Sequence, residues 1–383
     1  MKVFLVAGAR PNFMKIAPIQ KMMRKYPELQ PIIVHTGQHY DYEMSKIFFE
    51  NLELPEPNVY LGVGPGTHAE QTGKIMIRFE RAIFRYRPDL VIVVGDVNST
   101  LACALVAAKV QVPIAHVEAG LRSFDRSMPE EINRILTDHL CDILFTSCED
   151  ANENLRREGI SEDKIYFVGN VMIDSLFQNI NKANQSDILI KLNLTSPKPA
   201  TKVNPQDNIG PIDPYAVLTL HRPENVDIKE TLQRILNAIS EIQKQIKIIF
   251  PAHPRTRRRI KEFNLSLDRL NNLLLIDPLG YLDFLKLISE AKFVLTDSGG
   301  VQEETTVLGI PCLTLRNNTE RPITVKEGTN IVVGTDPERI VSESFKILNG
   351  DIKKAKIPKF WDGKTASRIV NIIYNYLKRN RIK

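Results

Sequence analysis

Three acidic positions stand where proton-transfer chemistry would need them. Asp96 directly follows the apolar run VIVVG, Glu118 directly follows IAHV, and the segment RSMPEEINR brings Glu130 and Glu131 shortly after. Carboxylates gathered at strand ends can take a proton from one side of a substrate and return one to the other. Plainer roles compete with this. Asp96 could cap a helix opening near Asn98-Ser99-Thr100, and Glu130 or Glu131 could be first-turn charges after Pro129. Glu118, ending a buried strand beside glycine, has the least support for a purely structural role.

A second group suits an anionic ligand. In FVLTDSGGVQEE (residues 293–304) an apolar run stops at Asp297, Ser298-Gly299-Gly300 follows, and a helix-forming segment opens. Free N–H groups at such a helix start attract phosphate, and glycine lets it approach the backbone; a tight turn capped by Ser298 is the plainer alternative. Glu304, four residues past Gly300, suits ribose hydroxyls better than phosphate. Arg10 and Lys15 follow the first strand and add two cations. His221 and His253 each follow a strand of the second half. Neither histidine joins a Ser or Cys nucleophile motif, which argues against a hydrolase triad. GGVQEE lacks the spacing of a nicotinamide-dinucleotide or P-loop turn, and GVGPGTH (residues 62–68) reads as a loop or lid.

Something must hold these groups at strand ends. Short β-branched runs (Val3–Ala7, Ile32–His35, Leu90–Val94, Ile114–Val117, Leu144–Thr146, Ile165–Val168) alternate with helical patterns. The rhythm resumes at Ala216–Leu220, Lys247–Phe250, Leu273–Ile276, Phe293–Thr296, Leu313–Leu315 and Ile331–Val333. Alternation of this kind predicts parallel sheets, whose ligands bind beyond the strands' carboxyl ends. A chain of 383 residues, 43% hydrophobic and 25% charged, exceeds one core. Two domains are expected: 1–172, completed by a closing helix over 364–383, and 173–363. The proline-rich segment 195–214 reads as a loop with neither helical nor strand period.

The net charge of +6 suits anionic ligands without implying nucleic acid. The start MKVFLVAGARPN reads as a buried strand, no apolar run is long enough to span a bilayer, and a soluble, cytoplasmic chain is expected. Cys103, Cys141, Cys148 and Cys312 show no metal-ligand spacing and are expected to be small buried residues.

The pieces VAGARPNFMKIAP, HTGQH, VVGDVNSTLA, HVEAGLRS, PEEINR, TLHRPEN, DSGGVQEE and RPITVKEGTN, in this order along essentially the whole chain, resemble the non-hydrolysing UDP-N-acetylglucosamine 2-epimerases. The resemblance implies a glycosyltransferase B-type fold: two Rossmann-like parallel-sheet domains with a central cleft, and a final helix returning to the first domain. It maps nucleotide contacts onto Arg10, Lys15, His221, Phe284, Ser298, Gly299, Gly300, Glu304 and Arg321, and acid–base carboxylates onto Asp96, Glu118 and Glu130. His221 also joins the catalytic set. The choice between Glu130 and Glu131 stays open, because the SFDRSM loop before them is short for the family. Regulation by a second UDP-GlcNAc maps onto Gln38 and His253, although Asp41 stands where the activator site of bacterial members has glutamine. Leu279, before Gly280, replaces a frequent glutamine.

The implied activity interconverts UDP-GlcNAc and UDP-ManNAc with no metal and no cofactor, in a homodimer with UDP, UDP-GlcNAc and UDP-ManNAc as its small-molecule partners. Alternatives are a hydrolysing 2-epimerase, a glycosyltransferase of the same fold, and a non-enzymatic UDP-sugar sensor.

Overall fold

The computed structural model describes residues 1–38, 49, 52–197, 209–267 and 270–382. Asp41, and residues 198–208 of the proline-rich segment, lie outside the described residues.

The chain divides into two compact units, one formed by Met1–Gln178 with Lys359–Lys383 and the other by Asn179–Pro358. The first is built on a seven-stranded parallel sheet, in the spatial order β3 (Val59–Tyr60), β2 (Gln30–His35), β1 (Lys2–Ala7), β4 (Leu90–Val94), β5 (Ile114–Ala119), β6 (Ile143–Thr146), β7 (Ile165–Phe167). Every residue of the LVIVV strand β4 is buried, as expected where both faces of a parallel sheet are covered. Phe4, Val6, Val34, Val91 and Val93 pack with Phe79, Ile83 and Ala107 of the flanking helices. Each fully buried apolar side chain of this kind contributes about 1.5–3 kcal/mol. The closing helix Thr365–Ile382 packs on the helix Arg10–Met23. Its first N–H groups, those of Thr365 and Ala366, donate to buried Asp174 at 3.1 and 2.7 Å.

In the second unit β8 (Thr195–Pro197) pairs antiparallel with β9 (Ile209–Ile212). The flanks of the proline-rich segment are therefore paired strands and not simple loop, a correction to the sequence reading. This pairing rests on backbone hydrogen bonds and needs no apolar alternation. The main sheet has six parallel strands, ordered β12 (Leu273–Ile276), β11 (Lys247–Pro251), β10 (Tyr215–Thr219), β13 (Phe293–Thr296), β14 (Cys312–Thr314), β15 (Asn330–Val332). Leu218, Ile248, Phe250, Leu295 and Leu313 form its core.

In each sheet the chain winds outward in both directions from one pair of neighbours, β1/β4 and β10/β13. Loops leaving adjacent strands at that point part to opposite sides and leave a crevice. Arg10 and Asp96 follow the first pair, His221 and Ser298 the second. All four cysteines are buried and unbridged.

Candidate functional site

In the first unit the structure brings Lys15 and Glu118 together. Lys15 lies in the second turn of the helix Arg10–Met23, and its Nζ makes a buried ion pair with Glu118 Oε2. Gly95 makes room for the pair. A Cβ there would stand 3.0 Å from Lys15 Nζ and 3.4 Å from Glu118 Oε2, and φ is +68°, so both space and conformation call for glycine.

Glu118 has a φ of +74°. For a residue with a Cβ this left-handed backbone costs on the order of 1–3 kcal/mol. The register between β5 and β6 shifts between Val117 and Ala119, leaving Glu118 as the unpaired residue of a bulge. Bulges of this kind re-aim a side chain at a strand's end.

Asp96 does not cap the following helix Asn98–Lys109, whose N-cap is Val97 with no side-chain cap bond. Instead its Oδ2 accepts from Arg134 Nε at 3.1 Å and Nη2 at 2.8 Å, and its carbonyl from Asn133 Nδ2 at 2.9 Å. Both donors stand on the helix Pro129–Leu140. Glu131 of that helix is buried and committed. Its Oε2 accepts from Ser123 N and Oγ, each at 2.9 Å, and from Arg134 Nη1 at 2.5 Å, while Oε1 accepts from Phe124 N at 2.9 Å. Glu130, beside it, is partly exposed, and its carboxylate has no hydrogen bond or ion pair among the described residues. The side chain of Arg10 is outside the described set, and its backbone opens the helix.

Two residues not singled out in the sequence hold this end of the sheet. Asn12 Oδ1 accepts from Gly8 N and Ala9 N, each at 3.0 Å, and its Nδ2 donates to Val94 O at 3.1 Å. That ties the loop after β1 to the end of β4. Arg134 is the other, through Asp96 and Glu131. Gln38 is buried, its Oε1 accepting from Ser99 N at 3.0 Å and Ser99 Oγ at 2.6 Å.

In the second unit Asp297 organises the loop that carries His221. Its carboxylate accepts from His221 N at 3.0 Å and Arg222 N at 2.9 Å, and lies 2.9 Å from His221 Nδ1. Burial would push this carboxyl up, but the His221 ring and the two N–H groups outweigh it and hold Asp297 below the ordinary carboxylate range. The partner fixes the ring through Nδ1.

Ser298 precedes the helix Gly299–Leu308 and makes no side-chain cap bond. Its own N–H donates to Thr296 Oγ1 at 3.0 Å. Gly299 is constrained by the protein itself, since a Cβ there would meet Glu320 Oε1 at 2.9 Å. That carboxylate is pinned by Arg316, whose Nη1 donates to Glu320 Oε2 at 2.7 Å.

Glu304 is buried with Oε1 accepting from Tyr281 OH at 3.0 Å. Burial, aided by the neighbouring Glu303 charge, raises its carboxyl to about 7. Tyr281 and Phe284 stand three apart on the helix Tyr281–Ser289, hence on one face, and Phe284 is partly buried. Arg321 is buried and paired with Glu303 at 2.7 Å. His253 is exposed and caps the helix Pro254–Glu262, its ring accepting from Arg255 N at 3.2 Å. A cavity of about 390 Å³, lined by Arg234, Asn317, Gly334 and Arg339 among others, includes none of the sequence-predicted residues. Among the described residues no cluster of three or more His, Cys, Asp or Glu is arranged to hold a metal ion.

A family profile described as UDP-N-acetylglucosamine 2-epimerase matches residues 21–374. The chain is 47% identical over 378 residues to a UDP-N-acetylglucosamine 2-epimerase of Methanocaldococcus jannaschii, covering 97% of this chain and 99% of the relative. It is 41% identical over 376 residues to a UDP-2,3-diacetamido-2,3-dideoxy-D-glucuronate 2-epimerase of Pseudomonas aeruginosa, again covering 97% and 99%. Among solved structures, the M. jannaschii UDP-GlcNAc 2-epimerase in complex with UDP-GlcNAc and UDP superposes with a TM-score of 0.87 at 46% identity, covering 98% of this chain and all of that one.

Proposed function

This chain belongs to the UDP-N-acetylglucosamine 2-epimerase family, and from that premise we propose that it interconverts UDP-GlcNAc and UDP-ManNAc without hydrolysis. The observation that carries the reading is the buried Lys15–Glu118 pair on a strained bulge, at the same sheet end as Asp96. A C2 proton is not next to a carbonyl, so a base cannot simply remove and replace it. Departure of UDP from C1 supplies the missing acidity. Its charge would be received by the His221 ring and the N–H groups of the 298–300 turn, and positive charge developing at C1 loosens the C2 proton.

Elimination then gives 2-acetamidoglucal. One carboxylate of the set Asp96, Glu118 and Glu130 takes the proton, another delivers a proton to the opposite face, and UDP re-adds. We assign the nucleotide to the second unit: phosphate at Ser298-Gly299-Gly300, ribose at Glu304, with Phe284 and Arg321 as further contacts. Glu130 is preferred over Glu131 because the carboxylate of Glu131 is fully occupied. The Pseudomonas relative carries the name of a differently substituted UDP sugar, so C2 inversion is the shared step and both sugars belong in the assay. Regulation through Gln38 and His253 remains a proposal of the family resemblance; the bonds of Gln38 to Ser99 give it a structural role as well.

A homodimer is proposed too. Ile77 and Phe84, 57% and 63% exposed, stand seven residues apart on one face of the helix His68–Tyr86 and would be covered by a second copy; light scattering that gives a monomer would remove it. No helix among the described residues is long and apolar enough to cross a membrane. A nucleotide-sugar substrate fits the cytoplasm.

The test is incubation with UDP-GlcNAc in deuterium oxide, with EDTA and without added cofactor, followed by NMR. UDP-ManNAc carrying deuterium at C2, with traces of UDP and 2-acetamidoglucal, is expected. Free ManNAc with stoichiometric UDP would establish the hydrolysing alternative. Turnover only with an added acceptor would establish a transferase, and binding without turnover a sensor. Protium retained at C2, or activity lost on chelation, would overturn the mechanism.

A further inference from the structure

Asp96 and Glu118 lie on different strands, yet one buried side-chain pair touches the backbone beside both. His116 Nε2 is 2.8 Å from the carbonyl of Gly95, the residue before Asp96. Its Nδ1 is 2.7 Å from Asp138 Oδ1. Asp138 Oδ2 in turn accepts from Gly120 N at 3.0 Å, two residues past Glu118. His116 and Asp138 are both fully buried.

The line of bonds therefore runs from the Asp96 loop, through a ring and a carboxylate, to the far side of the Glu118 bulge. It bridges three left-handed backbone positions, Gly95, Glu118 and Gly120. A carbonyl can only accept, and Asp138 also faces Arg122 Nη2 at 2.7 Å. Arg122 is itself held by Glu158 through two bonds of 2.7 Å. Burial would push the Asp138 carboxyl up, but His116 and Arg122 outweigh it and hold it below the ordinary range. Each ring nitrogen of His116 thus faces an acceptor, and the strut is braced from outside by Arg122.

We propose that His116 and Asp138 are positioning residues that fix the separation of Asp96 and Glu118 for proton transfer at C2. The proposal rests on the carboxylate assignment above. His116 touches no substrate in it and moves no proton to substrate. It acts by keeping two strained loop ends in register, which binding of UDP to the second unit does not require. Misplacing a reacting group by about 1 Å costs about 100-fold in rate.

Two substitutions separate the halves of the strut. In His116→Asn the amide nitrogen stands near the place of Nδ1, keeping the Asp138 bond and losing Gly95. In His116→Gln it stands near the place of Nε2, keeping Gly95 and losing Asp138. For both, kcat per UDP-binding site, with sites counted by calorimetry, should fall about 10- to 100-fold, while KM and UDP affinity stay within about threefold. The isotope effect on kcat with substrate deuterated at C2 should equal or exceed that of the wild type, because proton transfer becomes the slow step.

Wild-type kcat per site in either variant would overturn the proposal. So would a loss of rate fully matched by lost UDP sites, or failure of both variants to fold, either of which makes the pair only a folding element. Absence of C2 exchange in the wild type is a different result: it removes the carboxylate reading itself.

Discussion

Replacing Glu304 by glutamine should make the protein more stable and its nucleotide binding weaker. The carboxyl is 4% exposed and lies at about 7 instead of its ordinary 4.5, chiefly through burial. A folded-state value above the unfolded one means that the group's contribution is complete below about 4.5 and is lost as pH rises through about 7. A shift of this size corresponds to a loss of about 3 kcal/mol. Relaxation around Tyr281 and Glu303 should bring the measured figure to about 1–2 kcal/mol, because buried sites respond as if more polarisable than a dry interior. Glutamine is neutral at every pH and its carbonyl can still accept from Tyr281 OH.

Melting curves of the two proteins should therefore nearly coincide at pH 5 and separate as pH rises. By pH 8 the variant should melt higher by roughly 2–8 °C for a unit of this size. UDP titrated calorimetrically at pH 8 should bind about 10- to 100-fold more weakly to the variant, since hydrogen bonds to a charged acceptor are worth about 1.5–3 kcal/mol. A gap that does not change with pH, or a variant that melts lower at pH 8, would refute the burial argument. Unchanged UDP affinity would refute the ribose assignment while leaving the burial argument intact.

Asp96→Asn, Glu118→Gln and Glu130→Gln should each lower turnover by about 100-fold or more with UDP binding retained, measured by coupled UDP-sugar NMR and calorimetry. Glu131→Gln should act on folding first: it takes one carboxylate oxygen from the Ser123–Phe124 turn and from Arg134, at about 3–5 kcal/mol, so a clear drop in denaturation midpoint is expected. A stable, inactive Glu131→Gln would shift the catalytic assignment by one residue. Saturating UDP at about 100 times its dissociation constant should stabilise the wild type by about 3 kcal/mol; an unchanged melting temperature would count against the nucleotide site.

Most strand positions were legible because parallel strands buried on both faces are written as continuous β-branched runs, and LVIVV at β4 could be little else. Val59–Tyr60 escaped, since two residues carry no period, and the β8/β9 pairing escaped because its hydrogen bonds are made by backbone that any sequence supplies. The strand at Cys312–Thr314 begins one residue before the apolar run suggests, a shift that leaves its partners unaltered. Ser298 takes the N-cap position that its residue type suggests, yet no side-chain cap bond forms there.

Position after a strand singled out Asp96, Glu118 and His221 as candidates, but it could not say what holds each of them. Asp96 needs Arg134 from thirty-eight residues away and His221 needs Asp297 from seventy-six away, and one sequence does not show which distant residues meet. The distinction between Glu130 and Glu131 is of the same kind. The two neighbours have the same side chain, and the Ser123–Phe124 turn and Arg134 closing on Glu131 set it apart from Glu130, whose carboxylate has no partner among the described residues.

Glu118 is the sharpest case. Nothing in IAHVEAG announces that the chain will leave the strand's regular conformation at a residue other than glycine. The cost of that left-handed position is borne locally by the Lys15 ion pair and by the bulge being locked between Val117 and Ala119 in register with β6. If the strain serves only the fold, Glu118→Gly should relieve it and stabilise the first unit while abolishing turnover. If the Lys15 pair is what stabilises the bulge, the same substitution strands a buried ammonium and should lower the melting temperature. The second outcome is expected, because leaving one partner of a buried pair unpaired costs about 3–5 kcal/mol, more than the on the order of 1–3 kcal/mol of backbone strain that glycine would release. A variant that melts above the wild type would show that the pair contributes less than the strain it accompanies.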